Sequence, residues 1–288
     1  METQSKSLVI ENLNYEYKLI TNTRSVDAET THIVIPMHEN WRMTLIAVEC
    51  IKKFTLQPYL IWIVDNFSSA DTRKNLLKID GVNLIFNNSK NDSFFHPWNF
   101  KLYYGSISNG VALELAAHTI ENLPGKYMFG MHNDALPVKS GWLSFLKSKL
   151  NDKVKIAGVS QDKIRVHAVH QSGFLFDLEL YQITEGFMPN MPEYDVGDGI
   201  TLGLKRYGYV SFVCMNTFNN PETVKLLNRP DYPDFLRDYI RFDRCFNDNG
   251  DLIYLHLGRG TQKFRDLFSQ EKRMSKKDWI RNIRTHFL

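Results

Sequence analysis

The chain has 288 residues, of which 43% are hydrophobic and 13% aromatic, and its formal net charge is +3. This length and composition allow a substantial buried core and exclude a disordered or low-complexity protein. The sequence contains no run of 18 apolar residues, so it predicts no membrane-spanning segment.

The three cysteines, Cys50, Cys214 and Cys245, are far apart and form no Cys-x-x-Cys pair. Their odd number and their spacing argue against a disulfide framework and against a zinc cluster. The amino-terminal residues 1–7 are polar and lack the apolar core of a secretion signal. We therefore expect a cytoplasmic protein in a reducing environment.

Apolar strand-like runs alternate with helix-like segments between residues 31 and 145. The predicted strands are His32–Met37, Leu60–Asp65, Val82–Phe86 and Tyr127–Met131, and the predicted helices are Trp41–Phe54, Ala70–Lys78 and Asn109–Glu121. Each strand is almost continuously apolar, which is typical of strands covered by helices on both faces. This alternation predicts the α/β class, with a doubly wound and mostly parallel sheet. A further helix is predicted to start at Gly141 and Trp142.

The alternation breaks between Asn87 and Ser108, a stretch rich in Asn, Ser, Gly and aromatic residues. We predict a long loop there, on the side of the sheet where ligands bind. After Leu150, shorter strands are predicted at Ile156–Val159, Arg165–Val169 and Gly173–Phe176. The proline-rich stretch Asn219–Pro233 is predicted to be an irregular insertion. This second half would supply the pocket for a second substrate.

Polar residues directly follow three of the predicted strands. The first strand runs through Pro36 into His38, Glu39 and Asn40, the second ends in Asp65 and Asn66, and the fourth is followed by His132, Asn133 and Asp134. Because the carboxyl ends of parallel strands meet at one edge of a sheet, these side chains form a candidate site. Asp134, with nitrogen and oxygen donors beside it, could hold a divalent cation and a diphosphate. The alternative is that Asn133 and Asp134 only shape a turn.

Other residues near these strands have two possible roles each. The Asp65 carboxylate could accept hydrogen bonds from a base or a ribose, or it could cap the helix that follows. Ser68 and Ser69 are expected to act as caps of that helix. His167 and His170 are three residues apart on a predicted strand, so they face opposite sides and cannot bind one ion together. One of them could face the pocket, but a surface or core position is favoured for both.

Several short blocks occur in a fixed order between residues 31 and 260. They are Ile35-Pro36-Met37-His38-Glu39-Asn40, Val64-Asp65-Asn66-Phe67-Ser68, Ser108-Asn109-Gly110, His132-Asn133-Asp134 before Gly141-Trp142-Leu143, Asp195-Val196-Gly197-Asp198 before Gly208-Tyr209, and Tyr254-Leu255-His256. Each block alone is a weak signal. In this order, they resemble the inverting GT-A glycosyltransferases of family 2, especially the rhamnosyltransferase-like branch.

The resemblance implies a GT-A fold and a nucleotide diphosphate sugar as the donor substrate. It places the donor-binding residues at Pro36, His38, Asp65, Asn66, Asn109, His132 and Asn133. It also implies a divalent cation, Mn²⁺ or Mg²⁺, held by Asp134 and His256, with His132 as a further ligand or a phosphate contact. His132 departs from the family, in which many members have Asp or Asn at this position. His256 taken alone could also be a structural residue.

Transfer with inversion needs a base that removes the proton of the acceptor hydroxyl, and a carboxylate suits this task. Asp195 and Asp198 stand where the family has a Glu-Asp pair. Asp198 is predicted to begin a helix over residues 199–207, with Asp195 one turn earlier, so either could be the base while the other caps the helix. Of the two we prefer Asp198.

The expected activity is the transfer of a sugar to a hydroxyl of a glycan or a lipid-linked acceptor, in surface or lipid-linked glycan synthesis. The chain would divide into an extension at 1–30, a nucleotide-sugar half at 31–150, an acceptor half at 151–260 and a tail at 261–288. Two alternatives are a nucleotidyltransferase and a non-catalytic protein of the same fold that binds nucleotides or glycans. The first alternative would require a glycine-rich phosphate loop after the first strand, and His38-Glu39-Asn40 does not provide one.

Residues 261–288 contain eight Lys or Arg residues and three acidic residues. Apolar residues recur there at helical spacing, namely Phe264, Leu267, Phe268, Ile280, Ile283 and Phe287. Basic amphipathic segments of this kind bind anionic membrane surfaces, or their apolar stripe docks on the protein core. We favour a solvated terminal helix, since its apolar stripe could equally dock on the protein core, and peripheral contact with the inner membrane face stays the alternative. Nucleic-acid binding is not expected, because no reader motif accompanies the basic residues.

Overall fold

The computed structural model of the chain describes residues 2–22, 26–89, 102–159, 168–181, 183, 186–187, 196–216, 220–237, 243–258 and 274–288. For residues 102–106 and 196–199 it describes only the backbone. The described residues form thirteen strands and seven α-helices.

The strands are β1 (Glu2–Ile10), β2 (Leu13–Thr21), β3 (Thr31–Met37), β4 (Tyr59–Asn66), β5 (Asn83–Asn87), β6 (Tyr127–Met131), β7 (Ala135–Pro137), β8 (Val154–Gly158), β9 (Gly173–Asp177), β10 (Val210–Val213), β11 (Met215–Asn216), β12 (Asp243–Phe246) and β13 (Leu252–His256). The helices are α1 (Trp41–Phe54), α2 (Ala70–Leu76), α3 (Leu102–Ile120), α4 (Trp142–Lys149), α5 (Val196–Arg206), α6 (Asp234–Arg237) and α7 (Lys276–Phe287). Short 3-10 helices span Leu178–Leu180 and Pro221–Asn228.

Nine strands form the main sheet, in the order β1-β2-β5-β4-β3-β6-β9-β8-β10. Seven of them run in one direction, and β2 and β9 run in the other. Side chains alternate between the two faces of the sheet: Ile33 and Ile35 belong to the core shared with α1, α4 and α7, and Val34 to the core shared with α3 and α5. The predicted α/β class, with a doubly wound and mostly parallel sheet, is confirmed.

The direction in which the chain adds strands reverses at β3. The chain places β4 and β5 on one side of β3 and then crosses over to place β6 on the other side. In open α/β sheets, ligands bind at such a switch point, outside the carboxyl ends of the strands. The residues that follow β3, β4 and β6 are therefore in the position where this sheet can form a site.

Strand β9 lies between β6 and β8 and is antiparallel to both. Its first residue, Gly173, pairs with Met131, the last residue of β6. Because β9 runs in the opposite direction, the residues just before it reach the same edge as the residues just after β6. His170 and His132 are brought together in this way.

A smaller antiparallel sheet has the order β11-β12-β13-β7. Strands β12 and β13 form a hairpin, in which Gly250, at a φ of 74°, donates its N–H to the carbonyl of Asn247 at 2.9 Å. In the pairing of β13, His256 lies opposite Asp243 of β12 on one side and opposite Ala135 of β7 on the other. The hairpin therefore carries His256 to the end of β6.

Two local predictions are wrong. Helix α3 begins at Leu102, so residues 102–108 are helical rather than part of a loop, while residues 90–101 lie outside the described residues. Burial of Ile107 and Val111 outweighs the weak helix propensity of the nearby glycines. The predicted irregular insertion contains the 3-10 helix at Pro221–Asn228, whose first turn is capped by the side chain of Asn220.

The amino-terminal residues extend the main sheet. Strands β1 and β2 form a hairpin, and β2 pairs antiparallel with β5. The two turn residues, Glu11 and Asn12, both have positive φ angles, of 49° and 65°, as a type I′ turn requires. Residues 2–21, which the sequence suggested were an extension, are therefore part of the nine-stranded sheet.

The end of the chain docks on helix α1. Residues 259–273 of the tail lie outside the described residues, and α7 follows them. Trp279 and Ile283 are fully buried, and Arg284 pairs with Glu49 of α1 at 3.0 Å. The apolar residues of α7 thus face the core. Within the described ranges, no helix is long and apolar enough to cross a membrane.

Candidate functional site

Asp134 and His256 meet at the carboxyl end of β6. Asp134 lies in the short connection from β6 to β7, where its backbone carbonyl accepts a hydrogen bond from the N–H of Leu257 at 3.0 Å. The Oδ1 atom of Asp134 is 3.3 Å from Nε2 of His256, and the two side chains are 15% and 5% exposed. The sequence placed these residues in one site, and the structure brings them into contact.

Asp243 completes the contacts of His256 and was not among the residues predicted from the sequence. Its Oδ2 atom accepts a hydrogen bond from Nδ1 of His256 at 2.7 Å. The available signal was the Asn-Asp-Asn-Gly turn after β12, which predicts a hairpin. The pairing shifts by one residue between Cys245 and Phe246, however, and without this bulge Asp243 would face Leu255 instead of His256. Such a bulge cannot be placed from the sequence.

Three imidazole rings surround the same point. The ring of His132 is centred 5.3 Å from the ring of His256 and 5.6 Å from that of His170, and the rings of His170 and His256 are 5.7 Å apart. Nδ1 of His132 is 4.0 Å from Oδ1 of Asp134. His170 is half-buried at this site, so the surface or core position favoured from the sequence is wrong. His167, for which the same position was favoured, lies outside the described residues.

The charges of the cluster follow from burial and from the two carboxylates. Burial alone would lower the pKa of His256, but Asp134 and Asp243 outweigh it and raise that pKa to about 10. Burial, together with the neighbouring His256, lowers the pKa of His132 to about 3. Burial opposes ionisation of Asp134, yet contact with His256 leaves the pKa of Asp134 below its usual value. At neutral pH, His256 is therefore a cation and His132 is neutral.

The donor atoms of His132, Asp134 and His256 fit a divalent cation. Their ligand atoms all lie within 4.8 Å of one another. Two ligands of one cation at about 2.1 Å lie about 3 Å apart at a right angle and about 4 Å apart when nearly opposite. The Nδ1 bond to Asp243 directs Nε2 of His256 toward Asp134, an arrangement typical of metal-binding histidines.

Three of the residues predicted to bind the donor form a continuous set of contacts along the sheet edge. Nδ1 of His38 is 2.9 Å from the carbonyl oxygen of Asn66, and the Asn66 amide donates to the carbonyl of Ser108 at 2.8 Å. Asn109, the next residue, donates its side-chain amide to Gln171. Gln171 is adjacent to His170, so these contacts run from the end of β4 to the histidine cluster.

Asp65 is committed to the loop that follows β4. Its carboxylate accepts a 2.6 Å hydrogen bond from Nε of Arg73 and a weaker one from the N–H of Ser68 at 3.2 Å, and it is fully buried. Ser69 caps helix α2, as expected for one of the two serines. Ser68 instead accepts a hydrogen bond from the N–H of Glu39 at 2.7 Å. Its expected role as a helix cap is thus replaced by a link between the loops after β3 and β4.

Glu39 is a second link between these two loops. Its carboxylate accepts hydrogen bonds from the N–H of Ser69 at 2.6 Å and from the hydroxyl of Thr72 at 2.5 Å. These bonds, of which that from Thr72 is the strongest influence, lower the pKa of Glu39. The two loops at the switch point are thereby held in one arrangement.

The remaining predicted residues have different outcomes. Pro36 is buried within β3, and the Asn133 amide donates to Oγ1 of Thr44 in α1 at 3.4 Å. Asp195 lies outside the described residues. Asp198 is in the first turn of α5, which begins at Val196, three residues earlier than predicted, and only its backbone is described.

No model of a known protein family matches the chain, and no curated protein matches it by sequence. Its fold is similar to that of a mannosyltransferase from Pyrobaculum calidifontis in complex with GDP-Man and Mn²⁺, with a TM-score of 0.49 at 13% identity over 67% of this chain and 58% of that one. It is also similar to the catalytic domain of Drosophila β1,4-galactosyltransferase 7 in complex with xylobiose, with a TM-score of 0.40 at 9% identity over 64% of each chain. A third similar structure is glucosyl-3-phosphoglycerate synthase from Mycobacterium tuberculosis in complex with phosphoglyceric acid, with a TM-score of 0.43 at 13% identity over 64% of this chain and 69% of that one.

The chain thus spans less than two thirds of the first two of these proteins. Likenesses this distant leave the activity of the chain to be argued from its own residues.

Proposed function

We propose that the chain is a GT-A glycosyltransferase of the family 2 type, which transfers a sugar from a nucleotide diphosphate sugar to an acceptor hydroxyl. The observation that carries the proposal is the contact of Asp134 with His256, beside His132, at the switch point of the sheet. These residues occupy the metal motif and the final-strand histidine of the family that the sequence resembles. The proposal extends to a glycan or lipid-linked acceptor on the strength of that resemblance.

Breaking the bond between the sugar and the diphosphate leaves negative charge on the leaving group, which the site must stabilise. A bound Mn²⁺ or Mg²⁺ would neutralise this charge, and imidazole ligands favour Mn²⁺. Asp134 supplies a carboxylate oxygen, and His132 is a neutral imidazole at physiological pH, so it can bind a cation without losing a proton. His256 would have to release its Nε2 proton to solvent before this nitrogen could bind a cation, while the bond from Nδ1 to Asp243 would keep the ring in place.

The donor half of the proposed site is the edge formed by the residues after β3 and β4. Its contact set of His38, Asn66 and Asn109 would face the nucleoside, together with Pro36 and Asn133. Asp65 would act through the loop it organises, because Arg73 and Ser68 hold its carboxylate. Residues 151–260 would supply the acceptor side.

Either Asp198 or Asp195 would be the base that removes the proton of the acceptor hydroxyl. Asp198 lies in the first turn of α5, where the positive end of the helix dipole favours an ionised carboxylate. An ionised carboxylate opposite the leaving group is what an inverting transfer requires. Asp198 stays the preferred residue.

Nucleotide and metal binding test the proposal through thermal unfolding. We expect one of UDP, GDP and dTDP to raise the unfolding temperature more with Mn²⁺ than without it, since a ligand at a hundred times its Kd adds about 2.7 kcal/mol to stability. Asp134→Asn should abolish the Mn²⁺-dependent part of the rise in unfolding temperature. Asp248→Asn, a change at an exposed residue, should retain this part. A wild-type protein that responds to none of the nucleotides would contradict the proposal.

Once the nucleotide is known, the rate of sugar transfer from the corresponding nucleotide sugar shows which residue is the base. We expect Asp198→Asn to slow transfer by about 10²- to 10⁴-fold, while the nucleotide still raises the unfolding temperature as in the wild type. The matched variant Asp195→Asn is expected to act through the helix start and to have a smaller effect. If neither variant slows transfer, the assignment of a carboxylate base is wrong.

A second candidate function is nucleotide or glycan binding without catalysis. It is favoured by one observation: both ring nitrogens of His256 already contact carboxylates, those of Asp134 and Asp243. This candidate predicts a nucleotide-induced rise in unfolding temperature that does not depend on Mn²⁺, with no sugar transfer.

A further inference from the structure

His170 lies beside the proposed cation site, on the segment that precedes β9. Its ring is centred 5.6 Å from the ring of His132 and 5.7 Å from the ring of His256. The segment is fixed on both sides of His170, because the N–H of Val169 donates to Oγ1 of Thr201 at 3.1 Å and Gln171 is bound by the amide of Asn109. The ring itself is half-buried, so a ligand in the site can reach it.

The backbone determines which ring nitrogen of His170 carries the proton. The N–H of Ser172 donates to Nδ1 of His170 at 3.1 Å, and the Ser172 hydroxyl lies 2.8 Å from the same atom. A backbone N–H can only donate, so Nδ1 is the acceptor and the proton of the neutral ring is on Nε2. This is the opposite of His256, whose Nδ1 donates to Asp243.

This proton position argues against His170 as a metal ligand. Binding a cation through Nε2 would move the proton to Nδ1 and would leave the buried N–H of Ser172 without its acceptor. His170, Asp243 and His256 also have ligand atoms within 4.8 Å of one another. Ligation in this second group would likewise require His170 to give up its bond from the N–H of Ser172, so the same argument applies to it.

We propose that Nε2 of His170 donates a hydrogen bond to a phosphate oxygen of the diphosphate that binds at Asp134 and His256. This inference rests on the proposed function and adds a residue to its donor site. A diphosphate presents only acceptor oxygens, and a neutral imidazole with a fixed Nε2 proton presents a donor to them. This hydrogen bond would stabilise the departing diphosphate. His170 would do so without itself binding the cation.

The test separates cation binding from phosphate binding and does not require the nucleotide to be known. Full-length wild-type protein, His170→Phe and His170→Gln are titrated first with Mn²⁺ and then with inorganic pyrophosphate at fixed free Mn²⁺, and thermal unfolding is followed. His118→Gln is the matched control, since His118 is a half-exposed histidine on α3, paired with Glu121. Asp134→Asn serves as the variant with an impaired cation site.

We expect His170→Phe to keep the response to Mn²⁺ alone and to bind pyrophosphate about tenfold or more weakly, as for the loss of a hydrogen bond to a charged group. His170→Gln, which retains an amide donor, should recover part of that affinity, and His118→Gln should match the wild type. Loss of the response to Mn²⁺ alone in His170→Phe, as in Asp134→Asn, would make His170 a metal ligand and overturn the inference.

Two other outcomes are distinguishable. Unchanged pyrophosphate affinity in His170→Phe, with a normal wild-type response, refutes the role of His170 and leaves the proposed function intact. A wild-type protein that responds to neither Mn²⁺ nor pyrophosphate refutes both.

Discussion

At the scale of single residues, the most informative side chain is His256, which lies between two carboxylates. Asp134 approaches Nε2 at 3.3 Å and Asp243 approaches Nδ1 at 2.7 Å. The raised pKa of about 10 means that the folded protein holds a proton that an unfolded histidine releases near pH 6.5. Stability and proton binding are therefore linked at this residue.

We predict that the His256 proton stabilises the metal-free protein below pH 6.5 and that this contribution is lost as the pH rises through about 10. The measurement is the free energy of unfolding by urea, for the wild type and His256→Gln, at several values between pH 6.5 and 10. The difference between the two proteins should shrink as the pH rises, because groups common to both cancel. A difference that stays constant over this interval would contradict the charge assigned to His256.

At the scale of elements, Glu114 of α3 holds Tyr181 and the described residues 186–187, which precede α5 in the chain. Glu114, buried on α3, accepts hydrogen bonds from the hydroxyl of Tyr181 and from the N–H of Phe187. Gly186, at a φ of 88°, passes so close that an added Cβ would meet the Glu114 carboxylate. Phe187 in turn packs on Tyr181, with the rings 5.4 Å apart. The start of α5, and with it Asp198, follows this anchored point by about ten residues.

Two glycines with similar positive φ angles allow the cost of backbone strain to be distinguished from the cost of a steric contact. Gly208, at a φ of 80°, has open space where a Cβ would stand, whereas Gly186 does not. Gly208→Ala should cost about 1–2 kcal/mol of stability from the left-handed backbone alone. Gly186→Ala should cost more than Gly208→Ala, by about 1–3 kcal/mol for overpacking. Denaturant unfolding of both variants measures the difference, and equal losses would mean that Glu114 moves aside without cost.

At the scale of the whole molecule, the last helix closes the chain back onto its first crossover helix. Residues far apart in sequence are joined there: Lys276 contacts Asn40 at 2.8 Å, and Arg284 contacts Glu49. Asn40 directly precedes α1 and follows the loop that carries His38. Helix α7 therefore braces the nucleotide side of the proposed site, and its own apolar residues are already packed against the core.

Ile283→Ala should destabilise the protein by about 2–5 kcal/mol, because Ile283 is fully buried between α7 and the core. Thr285→Ala on the exposed side of the same helix should stay within about 0.5 kcal/mol. Chemical denaturation of both variants makes the comparison. A small effect of Ile283→Ala would show that α7 is only loosely attached, and would reopen the membrane-contact alternative for this helix.

The sequence predicted some parts of this molecule well because they depend on local patterns. The limits of α1 and β6 match, since a helical stripe and a short apolar run are read directly from neighbouring residues. The positions of residues that depend on how strands pair could not be predicted. His170 reaches the site because β9 is antiparallel, and Asp243 meets His256 because of a one-residue bulge. Neither the strand direction nor the bulge leaves a signature in the order of residues.

The hairpin of β12 and β13 supplies His256 and Asp243 about a hundred residues after the segment that supplies His132 and Asp134. During synthesis, a ribosome that has not yet reached Asp243 has therefore made His132 and Asp134 without their counterparts. The proposed cation site is therefore complete only after His256 has left the exit tunnel. Cation binding at the proposed site would thus report that translation has passed β13.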